Sequence, residues 1–318
     1  MGPAFFCSTK KRLFYKTGAQ RGRRGMVTRH RDPIFATYEA MRRQARNGYL
    51  TAATGDAVAA TYHAALDVLS RYQRVQVTSR VAGKQYDAFE SDEKLSRPIN
   101  RALYDPRPER WTELRAALDD AENTPLPAAE EITKTLYSMA ISFCAAIDLL
   151  KRGDQKTPGT YFEYFVAFFF AWRVRTEPQN RIQVLNIDDE NTELPTDYLF
   201  NLGRGQRKFH MPIKTSTRER AIMLWAHQRL LDGVYGTERF MGTPVLLAET
   251  KMDSERREVT EICTPEQWRL YQMYIARLQR IYYLDMPTAY GALANQFPPL
   301  HVRPFGQFFH EWNNLAPV

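Results

Sequence analysis

Between Thr160 and Arg175 the chain reads TYFEYFVAFFFAWRVR, a strongly apolar helix, and three strand candidates follow it directly: Arg181 to Ile187, Thr196 to Leu202 and Lys208 to Lys214. So apolar a helix has to be covered, and strands beside it supply a covering sheet. The turn Gly203-Arg204-Gly205-Gln206 joins the last two strands as a hairpin. A helix from Thr217 to Asp232, stopped by Gly233, is predicted next. Thr243 to Thr250 (TPVLLAET) is an apolar run of buried-strand type, and Arg257 to Cys263 can pair beside it. Pro265 to Asp285 reads as one long aromatic-rich helix ended by Met286-Pro287. The order helix, strands, helix, strand, helix predicts an α/β core.

The residues before Gly153 are expected to be mainly helical. Asp32 to Asn47 opens on Asp-Pro and stops before Gly48, as an N-capped helix does. Asp56 to Tyr72, Pro108 to Asn123 and Pro127 to Arg152 are further helices, and Arg74 to Val81 (RVQVTSRV) alternates like a strand. The expected organisation is therefore a basic arm over residues 1–25, a mainly helical part over 26–152 and an α/β core over 153–318, the last two forming one globule. The arm has three readings: a disordered phosphate-gripping tail, an over-extended gene start with Met26 as initiator, or a targeting presequence, for which no apolar h-region follows.

Charge narrows the class of partner. The chain carries a formal +8 over 318 residues, but nine of its basic residues lie between Met1 and Arg31, where there is no acid, so the remainder sums to 8 − 9 = −1. Any polyanion site must be a local patch. Three scattered cysteines exclude a disulfide framework and the usual zinc spacings, and suit a reducing cytoplasm. The six histidines form no metal motif. The longest apolar stretch, Phe165 to Trp172, is far short of the roughly 20 residues of a membrane span, so none is expected.

Chemistry is carried by three residues. Asp197 lies early in one strand of the hairpin and Lys214 ends the next, which lets a carboxylate and an amine face one point. Glu163 is a lone acid on an apolar helix, and such a carboxylate needs a partner or a cation. Phosphodiester cleavage near neutral pH calls for a divalent cation and a group to orient water. Carboxylates and a backbone carbonyl suit Mg²⁺, and Asp197, Glu163 and the Ile213 carbonyl can supply them, with Lys214 beside the water.

Glu163 on a helix, Pro195-Thr196-Asp197 on a strand and Pro212-Ile213-Lys214 on the next resemble the PD-(D/E)-x-K nuclease fold, and more narrowly the type II restriction endonucleases. The resemblance covers roughly Gly159 to Lys251. Ser-Thr-Arg-Glu-Arg after the lysine is similar to the R-(D/E)-R segment of EcoRII- and NgoMIV-type enzymes, and the wider text (PTDYLF, KTSTRER, WAHQRLLDG) resembles the ApaLI-like group. The resemblance implies a cytoplasmic, prokaryotic, Mg²⁺-dependent homodimer that cuts double-stranded DNA at a short palindrome, GTGCAC if the ApaLI likeness holds, beside a cognate DNA methyltransferase. Arg218, Arg220, Ser216 and Thr217 would then contact DNA. Ser216 and Glu219 also read as a capping box that opens the helix.

One departure stands out. The family's second acid, two residues before the lysine, is Pro212 here, and the alternative positions on the following helix hold His227 and Gln228. Gln228 is a candidate metal contact, although both read more readily as ordinary polar helix residues, and Glu249 is a spare carboxylate. The rival readings are a catalytically inactive DNA-binding protein of the same fold and a helical scaffold in which Asp197 and Lys214 are only a salt bridge. Asp188-Asp189-Glu190 reads as a solvated loop, and Trp268 to Tyr283 as core or a dimer surface.

Overall fold

The computed structural model describes residues 32–92, 94–120, 123–151, 153–187 and 190–317; the N-terminal arm and the Asp188-Asp189 pair lie outside them. The first helices are α1 (Pro33–Asn47), capped by Asp32, whose side chain accepts from the Ile34 N–H at 3.1 Å, and α2 (Ala52–Leu69), capped by Thr51. Strands β1 (Gln73–Ser79), β2 (Tyr86–Ser91), β3 (Lys94–Leu95) and β4 (Ile99–Asn100) follow, then α3 (Pro108–Asp119), α4 (Ala129–Leu150) and α5 (Lys156–Val174). The part expected to be mainly helical therefore also builds a small sheet. Two of its strands are two residues long, too short for any periodicity to show.

The central sheet is a layer of two four-stranded sheets that share continuous chain: β5 (Gln179–Ile187), β6 (Glu190–Asn201), β7 (Lys208–Met211) and β9 (Phe240–Gly242) form one, and β8 (Ile213–Lys214) and β10 (Val245–Leu246) begin the other. The run expected as one strand from Lys208 to Lys214 is split at Pro212, which has no N–H to give to a ladder. The split is bridged from the β9–β10 segment: Thr243 N–H donates to the His210 carbonyl at 2.8 Å, and Val245 N–H to the Pro212 carbonyl at 2.9 Å. Beyond β10 the sheet continues in parallel through β13 (Ile281–Tyr283) and β14 (Val302–Pro304). The β6–β7 hairpin pairs Asn201 with Lys208 and Tyr198 with Met211.

Alternation along these strands sorts residues onto two faces. Phe209, Met211, Ile213, Val245, Leu247 and Tyr282 face a core shared with α4 and α5. Leu246, Ile281 and Tyr283 face the opposite side, against Leu224 and Trp225 of α6 (Ile222–Tyr235) and Trp268 of α7 (Pro265–Tyr274). The result is a helix–sheet–helix sandwich. In α5, Phe162, Phe165, Phe168, Phe169 and Phe170 are at most 1% exposed, and each contributes about 1.5–3 kcal/mol of gross burial. Helix α4 is also long and apolar enough to cross a membrane by composition, but 89% of that window is buried inside the protein.

Two predicted helices change extent. The helix expected from Thr217 begins as a 3₁₀ turn, Arg218–Arg220, becomes α-helical at Ile222, runs through Gly233 and ends at Gly236. The single helix expected from Pro265 to Asp285 stops at Tyr274. The Gln272 amide closes the turn beyond it, bonding both the N–H and the carbonyl of Leu278, and the apolar run after Arg280 becomes β13 in mid-sheet.

A second sheet ties the two halves of the chain together. β11 (Thr250–Asp253) and β12 (Glu258–Glu261) form a hairpin, and β12 pairs in parallel with β1. Beneath it, Lys84 Nζ donates to Glu261 Oε1 (2.6 Å), Asp285 Oδ1 (2.7 Å) and the Met286 carbonyl (2.7 Å). The chain ends in α8 (Phe308–Leu315), where Phe308 stacks on Phe170 with ring centroids 4.0 Å apart.

Candidate active site

Asp197 is carried by β6 and Lys214 by the end of β8, so the hairpin register sets their meeting. Lys214 Nζ donates to Asp197 Oδ2 at 2.6 Å, and the same oxygen accepts the Ile213 N–H at 2.8 Å. Val245 and Leu247 take the carbonyls of Pro212 and Lys214 on one edge of the strand. The N–H and carbonyl of Ile213 therefore point to the other edge, toward Asp197. Glu163, from α5, brings Oε1 to 4.0 Å from Lys214 Nζ.

Two carboxylates thus share one ammonium, a local sum of −2 + 1 = −1 once both are ionised. The imbalance is visible in Glu163, which is held up to about 7, first by burial and then by the Asp197 charge, with Lys214 opposing both. The donor set of two carboxylates and a carbonyl, short of one positive charge, fits a hard divalent cation. Among the described residues no group of three or more His, Cys, Asp and Glu side chains comes together.

His227 stands beside the cluster. With Thr196, Asp197, Pro212, Lys214, Met223 and Leu224 it lines a depression of about 170 Å³. Burial lowers its pKa, as does Lys214, while Asp197 acts in the opposite direction. One residue further on, Gln228 faces elsewhere: it is 1% exposed, and its Nε2 donates to Asp232 Oδ1 (2.8 Å) and the Phe240 carbonyl (2.9 Å). The structure does not bring Gln228, the candidate metal contact, into the depression that Asp197, Lys214 and His227 line. A step of one residue on a helix is about 100° of rotation, which separates the two side chains.

The turn after Lys214 is organised by Glu249, whose carboxylate is 1% exposed. Ser216 Oγ donates to its Oε2 (2.7 Å), Thr217 N–H and Oγ to its Oε1 (2.9 and 2.7 Å), Arg218 N–H to Oε2 (3.3 Å) and Tyr283 OH to Oε1 (3.0 Å). So Ser216 does not cap the helix, and Glu249 is not a spare metal ligand. Thr217 is buried, and its hydroxyl, like that of Ser216, is bonded to Glu249. The clamp holds Arg218 at φ 41°, in the left-handed region, and leaves the Arg218 and Arg220 side chains exposed. Sequence reasoning placed the Glu249 carboxylate at a strand end but missed its role, because its partners lie 31 to 34 residues away.

No family model and no curated protein matches the chain. Among solved structures, it is similar to the type IIP restriction endonuclease Kpn2I, with a TM-score of 0.75 and 22% identity over 89% of this chain and 97% of that one. A fainter likeness, TM-score 0.38 at 13% identity over 65% of this chain and 90% of the other, is to restriction endonuclease PspGI in complex with substrate DNA. The fold assignment rests on Kpn2I, whose overall architecture matches the sandwich described above: the chain has the restriction-endonuclease fold.

Proposed function

We propose that the protein is a Mg²⁺-dependent type II restriction endonuclease that hydrolyses phosphodiester bonds in double-stranded DNA. The observation that carries this reading is the Asp197–Lys214–Glu163 cluster at the end of β8, with a net negative charge and an exposed arginine pair directly after it. Asp197, Glu163 and the Ile213 carbonyl would hold the ion. When bound, it withdraws charge from the phosphorus and lowers the pKa of an attacking water. Lys214 orients that water or stabilises the negative charge that builds on the phosphate oxygens. Asp197, bonded to the Ile213 N–H, fixes the lysine's reach. Arg218 and Arg220 contact DNA, one able to pair a guanine edge and the other a phosphate.

The resemblance to type II enzymes implies a homodimer, in which two such sites related by a two-fold axis would meet the two strands of a palindrome. The protein would work in a prokaryotic cytoplasm beside a cognate DNA methyltransferase, and GTGCAC is the site implied by the ApaLI-like text. The rival reading, a DNA-binding protein without catalysis, draws on Pro212 in place of the second acid and on the absence, among the described residues, of a third acid beside Asp197 and Glu163. Titration of Ca²⁺ into protein and duplex DNA separates the two. A working site binds DNA more tightly as Ca²⁺ is added, and Lys214→Ala keeps that binding while losing cleavage. DNA affinity indifferent to Ca²⁺, together with no cleavage in Mg²⁺, would favour the inactive binder.

A further inference from the structure

Segment Pro212–Arg218 is the wall between two depressions. On one side lies the Asp197–Lys214 site. On the other is a cleft of about 430 Å³ that the reading above does not use, lined by Thr215, Ser216 and Arg218 on the core side, by Lys251 on β11 and by Lys94 and Arg97 around β3. Its walls therefore come from both sheets. Among the described residues the lining holds four basic side chains, Lys94, Arg97, Arg218 and Lys251, and one acid, Asp148, a net of 4 − 1 = +3. Asp148 is already spent, since Arg97 grips both of its oxygens at 2.8 and 3.0 Å. In a chain whose residues after Arg31 sum to −1, so concentrated a positive lining is a local feature with a local use.

We propose that this cleft is a second phosphate-binding site, in which Lys251, Arg218 and Lys94 take backbone phosphates of the DNA flanking the cleaved bond. The proposal rests on the nuclease reading and deepens it by adding Lys251 and Lys94, which lie outside the resemblance's DNA-contacting segment. Geometry supports one strand touching both depressions. Arg218 lies four chain steps beyond Lys214, a span of at most about 14 Å, or roughly four base-pair steps at 3.4 Å each. The Glu249 clamp gives the cleft its fixed edge: it bonds the N–H groups of Thr217 and Arg218, so the Arg218 side chain leaves the turn from a held backbone.

Because phosphate contacts carry affinity and not sequence, the test reads salt dependence. A short fluorescent duplex of arbitrary sequence is titrated with the full chain in EDTA over a range of salt concentrations. The plot of log affinity against log salt is expected to lose about 0.9 of its slope in Lys251→Gln and about 1.8 in the Lys94→Gln/Lys251→Gln pair. Affinity at low salt should fall several-fold, the ends of Mg²⁺ cleavage fragments should stay the same, and Lys134→Gln on α4 should behave as wild type. Unchanged slopes in the Lys251 and paired variants, beside a salt-dependent wild type, would overturn the cleft and leave the nuclease reading standing. A wild type with no salt-dependent binding would overturn both.

Discussion

Glu163 is the residue whose chemistry is most exposed to measurement. Its carboxyl titrates at about 7 in the folded protein, against an ordinary value of 4.5, because it is partly buried and faces Asp197. Below about 7 a divalent cation must displace a proton from it, and above that pH it need not. Half-saturating Mg²⁺ for cleavage should therefore fall about tenfold between roughly pH 6 and pH 8 and level off beyond. Glu163→Gln should need more Mg²⁺ throughout and lose this dependence; an equally steep profile in the variant would assign the titration elsewhere. For the metal-free protein the sign is opposite. The folded state holds this proton more firmly than the unfolded chain, so the group's contribution to stability is full below about 4.5 and is lost as pH rises through about 7. That Asp197, Lys214 and Glu163 come together was legible in the sequence, because a hairpin turn and an odd acid on an apolar helix are local signals. Glu249 was not, since a clamp reaching Ser216, Thr217, Arg218 and Tyr283 leaves no local trace.

At the scale of elements, the sequence located most helices and strands, and it failed where tertiary contacts outvote local rules. Gly233 costs a helix interior only about 1 kcal/mol, and the packing of Leu231, Leu224 and Trp225 carries α6 past it. Ile281-Tyr282-Tyr283 is as apolar in a helix as in a strand, and only its neighbours β10 and β14 decide the matter. Gly306 shows how tightly the last elements dock. It lies in the 3₁₀ turn Phe305–Gln307 before α8, with its N–H donating to Thr133 Oγ1 of α4 at 2.9 Å. A Cβ there would sit 1.9 Å from the Ala129 carbonyl oxygen and 2.6 Å from Thr133 Oγ1, so backbone has to move. Gly306→Ala should destabilise by about 3 kcal/mol, the upper part of the overpacking range. A lower urea midpoint at an unchanged slope would show this; an unshifted midpoint would refute the docking described for α8.

The whole molecule sets a mixed sheet between α4 and α5 on one face and α6 and α7 on the other, with a second sheet closing the cleft beside the site. That α/β layering was legible because helix and strand patterns alternate along the second half of the chain. The second sheet was not, since its parallel β1–β12 pairing joins residues about 180 positions apart. Charge follows the same layout: apart from the N-terminal arm the chain is near neutral, and its positive lining gathers around the segment that follows Lys214. The central claim, that the Asp197–Lys214–Glu163 cluster cuts duplex DNA, is tested most directly by incubating purified wild-type and Lys214→Ala proteins with phage-length DNA, in Mg²⁺ and in EDTA, and sequencing the fragment ends. The account predicts discrete fragments with both strands cut at one short palindrome for the wild type in Mg²⁺ only, and a loss of about 10²-fold or more in Lys214→Ala. Intact DNA in every lane, or equal cleavage by the variant, would contradict it.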